Sequence, residues 1–317
     1  MKRTRQFVTG GAGFIGSHLV DRLLSEGDFV TVYDNLVSGR KENIGHHFGK
    51  ENFRFLEADL MNFDTLKEAM KDHEIIWHLG ANTNIIQGNK ITDLDLKNCT
   101  VATHNVLESV RQNGIKKILF TSTSAVYGEI EKMPTSEEDG PILPISLYGA
   151  GKLACEGLIS AYCHLFDMQA WMFRFGNVLG SRMSRGVIFD FIRKFRQNPK
   201  ELEILGDGSQ DKNYFLVEDC IDGMLCAFHN SPKQCDVFNL GSETNVNVTT
   251  IATIVVEEMG LKDIRFRYTG GKRGWPGDVP IVHFNLGKIA KLGWEPKHSS
   301  EEAVRLAARR LLGKEGK

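Results

Sequence analysis

The sequence has almost no net charge, no long hydrophobic run and no internal repeat. Its 317 residues include 39 basic and 40 acidic side chains, so it lacks the basic excess that binds nucleic acid or an anionic membrane. No apolar stretch approaches the roughly 18 residues that a membrane-spanning helix requires. We therefore expect neither nucleic acid nor a membrane as a partner.

The cysteines are few and scattered, with no Cys-x-x-Cys pair. Such spacing favours buried free thiols in a reducing cytosol over a disulfide framework or a zinc site. We therefore expect a cytoplasmic protein without a metal, and we interpret the adjacent His46 and His47 as a solvated loop pair. The six cysteines are Cys99, Cys155, Cys163, Cys220, Cys226 and Cys235.

Strands and helices alternate through the first half of the chain, which favours a parallel sheet with helices on both faces. We predict strands at 6–8, 29–33, 53–57, 75–79, 117–122 and 169–173, a helix capped by Asp64 and ending near Met70, and long helices at 94–112 and 148–166. The later half is less regular, with helices predicted at 187–196, 219–229, 249–258 and 301–312. The two long helices carry large apolar faces, which either pack within the molecule or form a homodimer interface.

A glycine-rich turn follows the first predicted strand. Gly10, Gly13 and Gly16 stand between that strand and a helical apolar pattern. In such a turn the first glycine permits the bend, the second lets backbone approach a pyrophosphate, and the third allows close packing of the helix. The free N–H groups and the dipole of the helix then favour phosphates. The turn therefore predicts a dinucleotide site in a Rossmann-type, doubly wound α/β fold.

Asp34 ends the second predicted strand, about 20 residues after the glycine turn, as expected for the acid that binds a ribose. A carboxylate there accepts hydrogen bonds from both ribose hydroxyls and repels a 2′-phosphate, so NAD is favoured over NADP. We place an NAD-binding domain at 1–177, with a later return of the chain near 215–245. A smaller α+β substrate domain follows at 178–317.

The chemistry is predicted at the end of the fifth strand and the start of the next helix. A stretch rich in serine and threonine follows the strand at 121–128, and Tyr148 and Lys152 lie one turn apart on one helical face. A tyrosine with its usual pKa of about 10 is a poor base at neutral pH. A neighbouring ammonium group and an oxidised nicotinamide both favour the phenolate, so Tyr148 can act as acid and base beside Lys152. A threonine hydroxyl from the strand end can bond the same substrate oxygen.

Taken together, these motifs resemble the extended short-chain dehydrogenase/reductase family, and within it nucleotide-sugar epimerases of the UDP-glucose 4-epimerase type. The resemblance extends over nearly the whole chain, in one order. Its motifs lie at 9–16, 34–36, 59–60, 78–81, 98–105, 121–128, 148–152, 174–177, 206–210, 217–219, 239–241 and 277–280.

The resemblance implies roles for residues that the motifs contain. The implied catalytic residues are Thr123, the base Tyr148 and Lys152, of which the last two also contact the cofactor. The implied residues for tightly bound NAD are Gly10, Gly13, Phe14, Ile15, Gly16, Asp34, Asn35, Gly39, Asp59, Leu60, Leu79, Gly80, Ala81 and Asn98. The implied residues for the nucleotide sugar are Thr123, Asn177, Val187, Ile188, Lys212, Tyr214, Arg273 and Asp278.

The implied reaction is the inversion of C4 in a UDP-hexose through a 4-keto sugar, with no net redox change. Relatives that dehydrate nucleotide sugars place a glutamate two residues after the catalytic threonine, usually with an aspartate between, and the UDP-glucuronate decarboxylases tend to carry the same glutamate. This chain has Ser124 and Ala125 at those positions, so dehydration is disfavoured. Two other classes stay open: a nucleotide-sugar 4-oxidoreductase with exchangeable NAD, and a non-catalytic NAD-binding protein. The intact Thr123, Tyr148 and Lys152 disfavour the second.

The chain departs from the family pattern in the predicted sugar pocket. Lys212 stands where an arginine is usual, which keeps the charge but loses bidentate phosphate binding. Trp275 stands where many relatives have a second arginine, so Arg273 or Arg185 would have to replace it. Val282 is either a core valine or the wall of a pocket wide enough for a 2-acetamido group.

Overall fold

The computed structural model describes residues 3–314, so residues 1, 2 and 315–317 of the predicted domains lie outside the described residues. The chain divides into two compact units. The first comprises the chain up to 126 together with 146–174 and 227–238, and the second comprises 127–145, 175–226 and the chain from 239. The division therefore interleaves the chain, and segment 227–238 of the first unit falls within the predicted return near 215–245.

The strands are β1 Arg5–Thr9, β2 Phe29–Asp34, β3 Phe53–Glu57, β4 Ile75–His78, β5 Lys117–Thr123, β6 Gln169–Phe175, β7 Asn177–Leu179, β8 Glu201–Ile204, β9 Asp211–Leu216, β10 Cys235–Leu240, β11 Asn245–Asn247, β12 Arg265–Tyr268 and β13 Ile281–Val282. The α-helices are α1 Phe14–Ser25, α2 Phe63–Ala69, α3 Ile85–Lys90, α4 Ala102–Gln112, α5 Leu147–Phe166, α6 Val187–Gln197, α7 Val217–Asn230, α8 Val248–Met259, α9 Gly287–Ala290 and α10 Ser300–Leu311.

A seven-stranded sheet in the order β3-β2-β1-β4-β5-β6-β10 forms the frame of the first unit. β1 pairs in parallel with β2 and β4, β2 with β3, and β4 with β5. The chain moves outward from β1 to β3 and then returns to β4 on the other side of β1, so the strand order reverses between β1 and β4. Open α/β sheets bind ligands at such a reversal, beyond the carboxyl ends of the strands. The predicted Rossmann-type fold is confirmed.

The core of the first unit lies between this sheet and its helices. Phe7, Ile76 and Phe120 from the strands pack in one cluster with Val106 of α4 and Ile159 of α5. These side chains are almost completely buried, and burial of each contributes about 1.5–3 kcal/mol of hydrophobic free energy. The cluster fixes α4 and α5 against the strands that carry the predicted chemistry.

Two predictions about helices in this unit are wrong in detail. The cap of α2 is Asn62, whose side chain accepts a hydrogen bond from Thr65 N, whereas Asp64 lies inside the first turn. The predicted helix 94–112 is not one α-helix, because a π-helical turn at Leu96–Val101 precedes α4. Asparagine and aspartate both cap helices, so the sequence does not separate Asn62 from Asp64 as the cap. A π-helical turn is too rare to be expected from an apolar pattern alone.

The second unit contains a small sheet around β9, which pairs in parallel with β7 and β13 and antiparallel with β11. β8 and β12 form a separate parallel pair. The helices predicted here correspond to α6, α7, α8 and α10 within two residues, while the short strands were not individually predicted. Within residues 3–314, no helix is both long enough and apolar enough to cross a membrane.

Candidate active site

The glycine turn lies directly after β1, at the reversal of strand order. Gly10 has φ 69°, in the left-handed region, and a Cβ on it would lie 2.8 Å from Gly80 N. A Cβ on Gly16 would lie 2.2 Å from Gly10 O, so α1 packs directly against the turn. Gly13, the N-cap residue of α1, supplies no side-chain cap. The N–H groups of the first turn of α1 therefore point out of the end of the helix and form a preformed anion-binding cradle.

Asp34 is fixed beside this cradle by two backbone donors. Its Oδ2 accepts from Ala12 N at 3.0 Å and its Oδ1 accepts from Leu36 N at 2.8 Å. Gly39 leaves room for the carboxylate, since a Cβ there would lie 2.8 Å from Oδ1. Burial raises the pKa of Asp34, while the bonds from Leu36 and Ala12 oppose that rise. Each oxygen retains a lone pair with which it can accept a ribose hydroxyl.

The loop after β4 is organised by a threonine and a histidine that the sequence analysis did not assign. Thr9 Oγ1 accepts from both Leu79 N and Gly80 N at 3.1 Å, and it lies 2.8 Å from Nδ1 of His78. Burial lowers the pKa of His78 to about 3, so the ring is neutral and its Nδ1 accepts the threonine proton. These bonds hold Leu79 and Gly80 against the glycine turn.

The predicted catalytic side chains are brought together by β5 and α5. The hydroxyl of Ser146 caps α5 by accepting from Gly149 N at 3.1 Å. One turn into the helix, Lys152 donates from Nζ to Thr121 O at 2.6 Å. Tyr148 lies close enough to Thr123, the last residue of β5, for the threonine hydroxyl to lower the pKa of Tyr148. The three residues that the resemblance selects therefore form one cluster.

The electrostatics of this cluster act on the phenol of Tyr148 in opposite directions. Burial raises the pKa of Tyr148 above its ordinary value, while the charge of Lys152 and the nearby Thr123 hydroxyl oppose that rise. Burial lowers the pKa of Lys152, but the surrounding thiol, phenol and carboxyl groups raise it above its ordinary value. Lys152 is therefore an ammonium group at neutral pH, and its charge stabilises the phenolate of Tyr148.

Comparison with known proteins agrees with this geometry. A model of the NAD-dependent epimerase/dehydratase family matches residues 6–241. The chain belongs to this family.

Its relatives in the epimerase/dehydratase family include more than one activity. The chain is 34% identical over 265 residues to UDP-glucose 4-epimerase of Mycolicibacterium smegmatis. The matched region covers 82% of this chain and 84% of the relative. It is 32% identical over 318 residues to UDP-glucuronic acid decarboxylase 2 of Arabidopsis thaliana. Here the matched region covers 96% of this chain and 67% of the relative. A crystal structure of UDP-galactose 4-epimerase has a TM-score of 0.87 and 37% identity, covering 98% of this chain and 100% of the other.

The predicted family resemblance and the predicted cofactor are thereby confirmed: the protein is an NAD-dependent enzyme of the nucleotide-sugar epimerase/dehydratase family. The residues around the glycine turn fit NAD in their chemistry, with backbone donors for the pyrophosphate and the Asp34 carboxylate for a ribose. Phe14 and Ile15 are half-buried in the first turn of α1, where their N–H groups lie in the cradle.

The other residues that the resemblance assigns to NAD lie on the same unit of this epimerase/dehydratase. Asn35 donates from Nδ2 to Asp59 Oδ2 at 2.9 Å, so the two implied adenosine contacts are already joined. Leu60 packs against Gly80, since its Cδ1 would lie 2.8 Å from a Cβ there. Ala81 continues the loop after β4, and Asn98 lies in the π-helical turn, where its Nδ2 donates to Leu94 O.

The residues implied for the nucleotide sugar lie on the second unit, apart from Thr123. Asn177 begins β7 and donates from Nδ2 to Asn213 O at 3.0 Å. Val187 and Ile188 begin α6, with Ile188 completely buried. Tyr214 is buried in β9, where burial and the fields of Asp278 and Asp211 raise its pKa.

The basic residues of this group are paired with acidic ones. Lys212 forms an ion pair with Asp278 at 2.5 Å, and its ammonium lies 5.3 Å from the ring centroid of Trp275. Arg273 donates to the backbone oxygen of Asp278 and to the carboxylate of Glu129. The structure thus brings Lys212, Arg273 and Asp278 into one network. Arg185, the other candidate, is exposed at the turn before α6.

The interpretation of His46 and His47 as a solvated pair is wrong for His47, which is buried, whereas His46 is exposed. The pair has a partner that spacing could not reveal. Nε2 of His46 and Nε2 of His47 both lie within 2.8 Å of Asp21 Oδ1. Lys50 donates from Nζ to Nδ1 of His47, whereas a metal-binding histidine normally donates from its second nitrogen. These contacts of the histidine rings therefore favour a hydrogen-bonded cluster over a metal site. The prediction that these residues hold no metal stays a prediction.

Proposed function

We propose that this enzyme inverts C4 of a UDP-hexose, either the UDP-glucose/UDP-galactose pair or the corresponding N-acetylated pair. The observation that carries the proposal is the Thr123–Tyr148–Lys152 cluster at the end of β5, which supplies one proton-exchanging group and no second acid. An epimerisation needs one such group because the same proton leaves and returns.

Each residue of the cluster has a role in that reaction. Tyr148, as phenolate, accepts the proton from the 4-hydroxyl of the sugar, and Thr123 donates a hydrogen bond to the same oxygen. Thr123 can do so because its Oγ1 already accepts from Ala125 N at 3.2 Å, which orients the hydroxyl. The charge of Lys152 opposes the rise that burial causes in the pKa of Tyr148 and so favours the phenolate. When bound, NAD⁺ would accept hydride from C4 and return it to the opposite face of the sugar.

The residues after Thr123 support epimerisation over the reactions of other relatives. Ser124 and Ala125 begin a 3₁₀ turn at Ser124–Val126, and neither side chain is an acid at neutral pH. Elimination of water from a sugar needs a further acid and base, which dehydratases place at these two positions. The same positions argue against the decarboxylase activity of the Arabidopsis relative.

A nucleotide-sugar 4-oxidoreductase is the alternative, because the first half of its reaction would use the same cluster. The two activities differ in whether NAD leaves the protein. We propose that NAD stays tightly bound, since the cradle and Asp34 hold both its phosphates and its ribose. Release of NADH during turnover would support the oxidoreductase.

We further propose that Asn177, Val187, Ile188, Lys212, Tyr214, Arg273 and Asp278 bind the nucleotide sugar. Lys212 is the residue best suited to a phosphate, because its ion pair with Asp278 can be exchanged for a doubly charged diphosphate. Val282 is buried in β13 opposite Lys212 in register. A small side chain at that position leaves the size of the accepted C2 substituent open, so both pairs of sugars must be tested.

We propose that the enzyme is a homodimer that functions in the cytoplasm. Leu96, Val101, Leu147, Leu165 and Phe166 are exposed on or beside α4 and α5, and exposed apolar residues of this size favour an interface. All six cysteines are free thiols, which is typical of a reducing compartment. Light scattering on the purified protein tests the dimer.

The test of the activity uses purified protein without added cofactor. The protein is incubated separately with UDP-glucose, UDP-N-acetylglucosamine, UDP-glucuronate and a GDP-sugar, and the products are resolved by anion exchange and proton NMR. We expect a C4 epimer from at least one UDP-hexose. Carbon dioxide from UDP-glucuronate, or a rise in absorbance at 340 nm only when NAD⁺ is added, would contradict the proposal.

A further inference from the structure

Three successive residues at the end of β5 lie against α5. Thr123 lies beside Tyr148 and lowers its pKa, Thr121 O accepts from Lys152, and Ser122 donates from Oγ to Glu156 Oε1 at 2.5 Å. On the helix the partners are Tyr148, Lys152 and Glu156, each four residues after the last, so they form one row along a single face. The first two contacts belong to the proposed chemistry, and the third has no assigned role.

Glu156 is a buried charge with a complete set of partners. Nε of Arg174 donates to its Oε1 at 3.0 Å and Nη2 of Arg174 donates to its Oε2 at 2.7 Å. Ser122, Glu156 and Arg174 are only 3%, 5% and 4% exposed. Arg174 belongs to β6, the neighbour of β5 in the sheet, so the carboxylate joins two strands and the helix above them.

A buried ion pair of this kind is weak evidence for stability. Removing two charges from water costs several kcal/mol, and well-packed apolar residues often stabilise the same position as well or better. What the pair provides instead is a fixed geometry, because a carboxylate held by a bidentate arginine has little freedom to move. Ser122, bonded to that carboxylate, is fixed in turn.

We propose that Ser122 and Glu156 are positioning residues: they hold the end of β5 against α5 so that the Thr123 hydroxyl stays beside the phenol of Tyr148. Arg174 fixes Glu156 and balances its charge. The consequence for chemistry rests on the proposed function, whereas the consequence for Tyr148 itself does not.

The test compares Ser122→Ala with Ser109→Ala. Ser122→Ala removes the bond to Glu156 and leaves the Glu156–Arg174 pair intact. Ser109 is equally buried, in α4, and its Oγ has no hydrogen-bond partner among the described residues, so its substitution controls for loss of a buried hydroxyl. Ser122→Thr, which retains a hydroxyl, serves as the rescue variant.

The first readout is the pKa of Tyr148 in the NAD-loaded protein, followed by NMR of ¹³Cζ-labelled tyrosine and assigned with Tyr148→Phe. Because the nearby Thr123 hydroxyl lowers the pKa of Tyr148, we expect a higher pKa in Ser122→Ala and no change in Ser109→Ala. Ser122→Thr is expected to restore the lower value. This readout needs no substrate, so it tests the positioning role even if the proposed epimerase activity is wrong.

The second readout is catalysis, where misplacement of a hydroxyl by a fraction of an ångström is expected to lower kcat roughly tenfold with little change in KM. Glu156→Gln and the double variant that combines it with Ser122→Ala complete a double-mutant cycle. If Ser122 acts through Glu156, the double variant loses no more kcat than the more damaged single variant. A folded Ser122→Ala protein with an unchanged Tyr148 pKa and an unchanged kcat would overturn the proposal.

Discussion

Lys152 donates to the backbone oxygen of Thr121 at 2.6 Å, from a side chain buried under the first turns of α5. Its ammonium also lies 4.6 Å from the ring centroid of Phe120, which adds a cation–π contribution of about 2 kcal/mol at a desolvated position. A charge held in this way cannot move off to solvent when Tyr148 changes its protonation. The field at the phenol is therefore fixed before substrate binds.

Replacement of Lys152 by methionine should shift the pH dependence of the reaction to higher pH. The charge of Lys152 lowers the pKa of Tyr148, so its loss raises that pKa. Because the base must be ionised, the acidic limb of kcat/KM moves upward, and we expect the rate at pH 7 to fall about a hundredfold. The measurement is kcat/KM for the preferred UDP-hexose between pH 6 and about 10.

The control for this substitution is Lys194→Met, which removes an ammonium group of the second unit that contacts the backbone oxygen of Glu203 and the carboxylate of Asp190. Its acidic limb should coincide with that of the unmodified enzyme. An unshifted limb in Lys152→Met would mean that the lysine contributes to binding alone.

Tyr148→Phe should abolish most of the activity while leaving the protein folded and able to bind NAD. Phenylalanine keeps the ring in α5 and removes the group that exchanges the proton, a change expected to lower kcat by about 10²–10⁴-fold. Tyr162→Phe, on the same helix, removes a hydroxyl that donates to Glu108 at 3.3 Å and should leave kcat unchanged. Bound NAD is measured by absorbance after denaturation, and comparable activity in both variants would refute Tyr148 as the base.

How far the sequence predicts this site depends on how far apart the residues of the site lie along the chain. Tyr148 and Lys152 lie one turn apart on a long helix, so their shared face follows from spacing. The glycine turn is likewise a local pattern between a strand and a helix. Ser122 and Arg174, by contrast, lie 34 and 18 residues from Glu156, and only the packing of β5, β6 and α5 brings them together.

The fold, like the site, was predictable where it follows from a local pattern in the sequence. The strands of the first unit are apolar runs bounded by turns, so their positions follow from composition and period. The strands of the second unit are as short as two or three residues, too short for a periodic pattern to register. The pairing of Lys212 with Asp278, 66 residues apart, depends on that unpredicted arrangement.

Asp34→Asn should weaken the preference for NAD over NADP. The carboxylate has two oxygens that accept from Ala12 N and Leu36 N, and it repels a 2′-phosphate. An asparagine can accept with only one oxygen, so one backbone donor loses its partner at a cost of about 1–3 kcal/mol. We expect weaker NAD binding, a smaller ratio of NADP to NAD dissociation constants, and no such change in Asp64→Asn, whose carboxyl is exposed on α2. The constants are measured by fluorescence titration of protein stripped of cofactor, and an unchanged ratio would remove Asp34 from the ribose site.

Two glycines on helices of the first unit should respond in opposite directions to alanine. A Cβ on Gly16 would lie 2.2 Å from Gly10 O and 2.8 Å from the Cα of Gly11, and neither backbone atom can move without opening the cradle. We expect Gly16→Ala to lose about 1–3 kcal/mol of unfolding free energy through overpacking and to bind NAD poorly. A Cβ on Gly157, inside α5, would meet no atom of residues 3–314 within 4 Å apart from its own stretch of helix, so Gly157→Ala should gain about 0.5–1 kcal/mol from helix propensity. Thermal unfolding with and without NAD measures both effects, and because NAD stabilises only proteins that bind it, a Gly16→Ala protein stabilised by NAD as strongly as the unmodified enzyme would show that close packing of α1 on the turn is not needed for the cofactor.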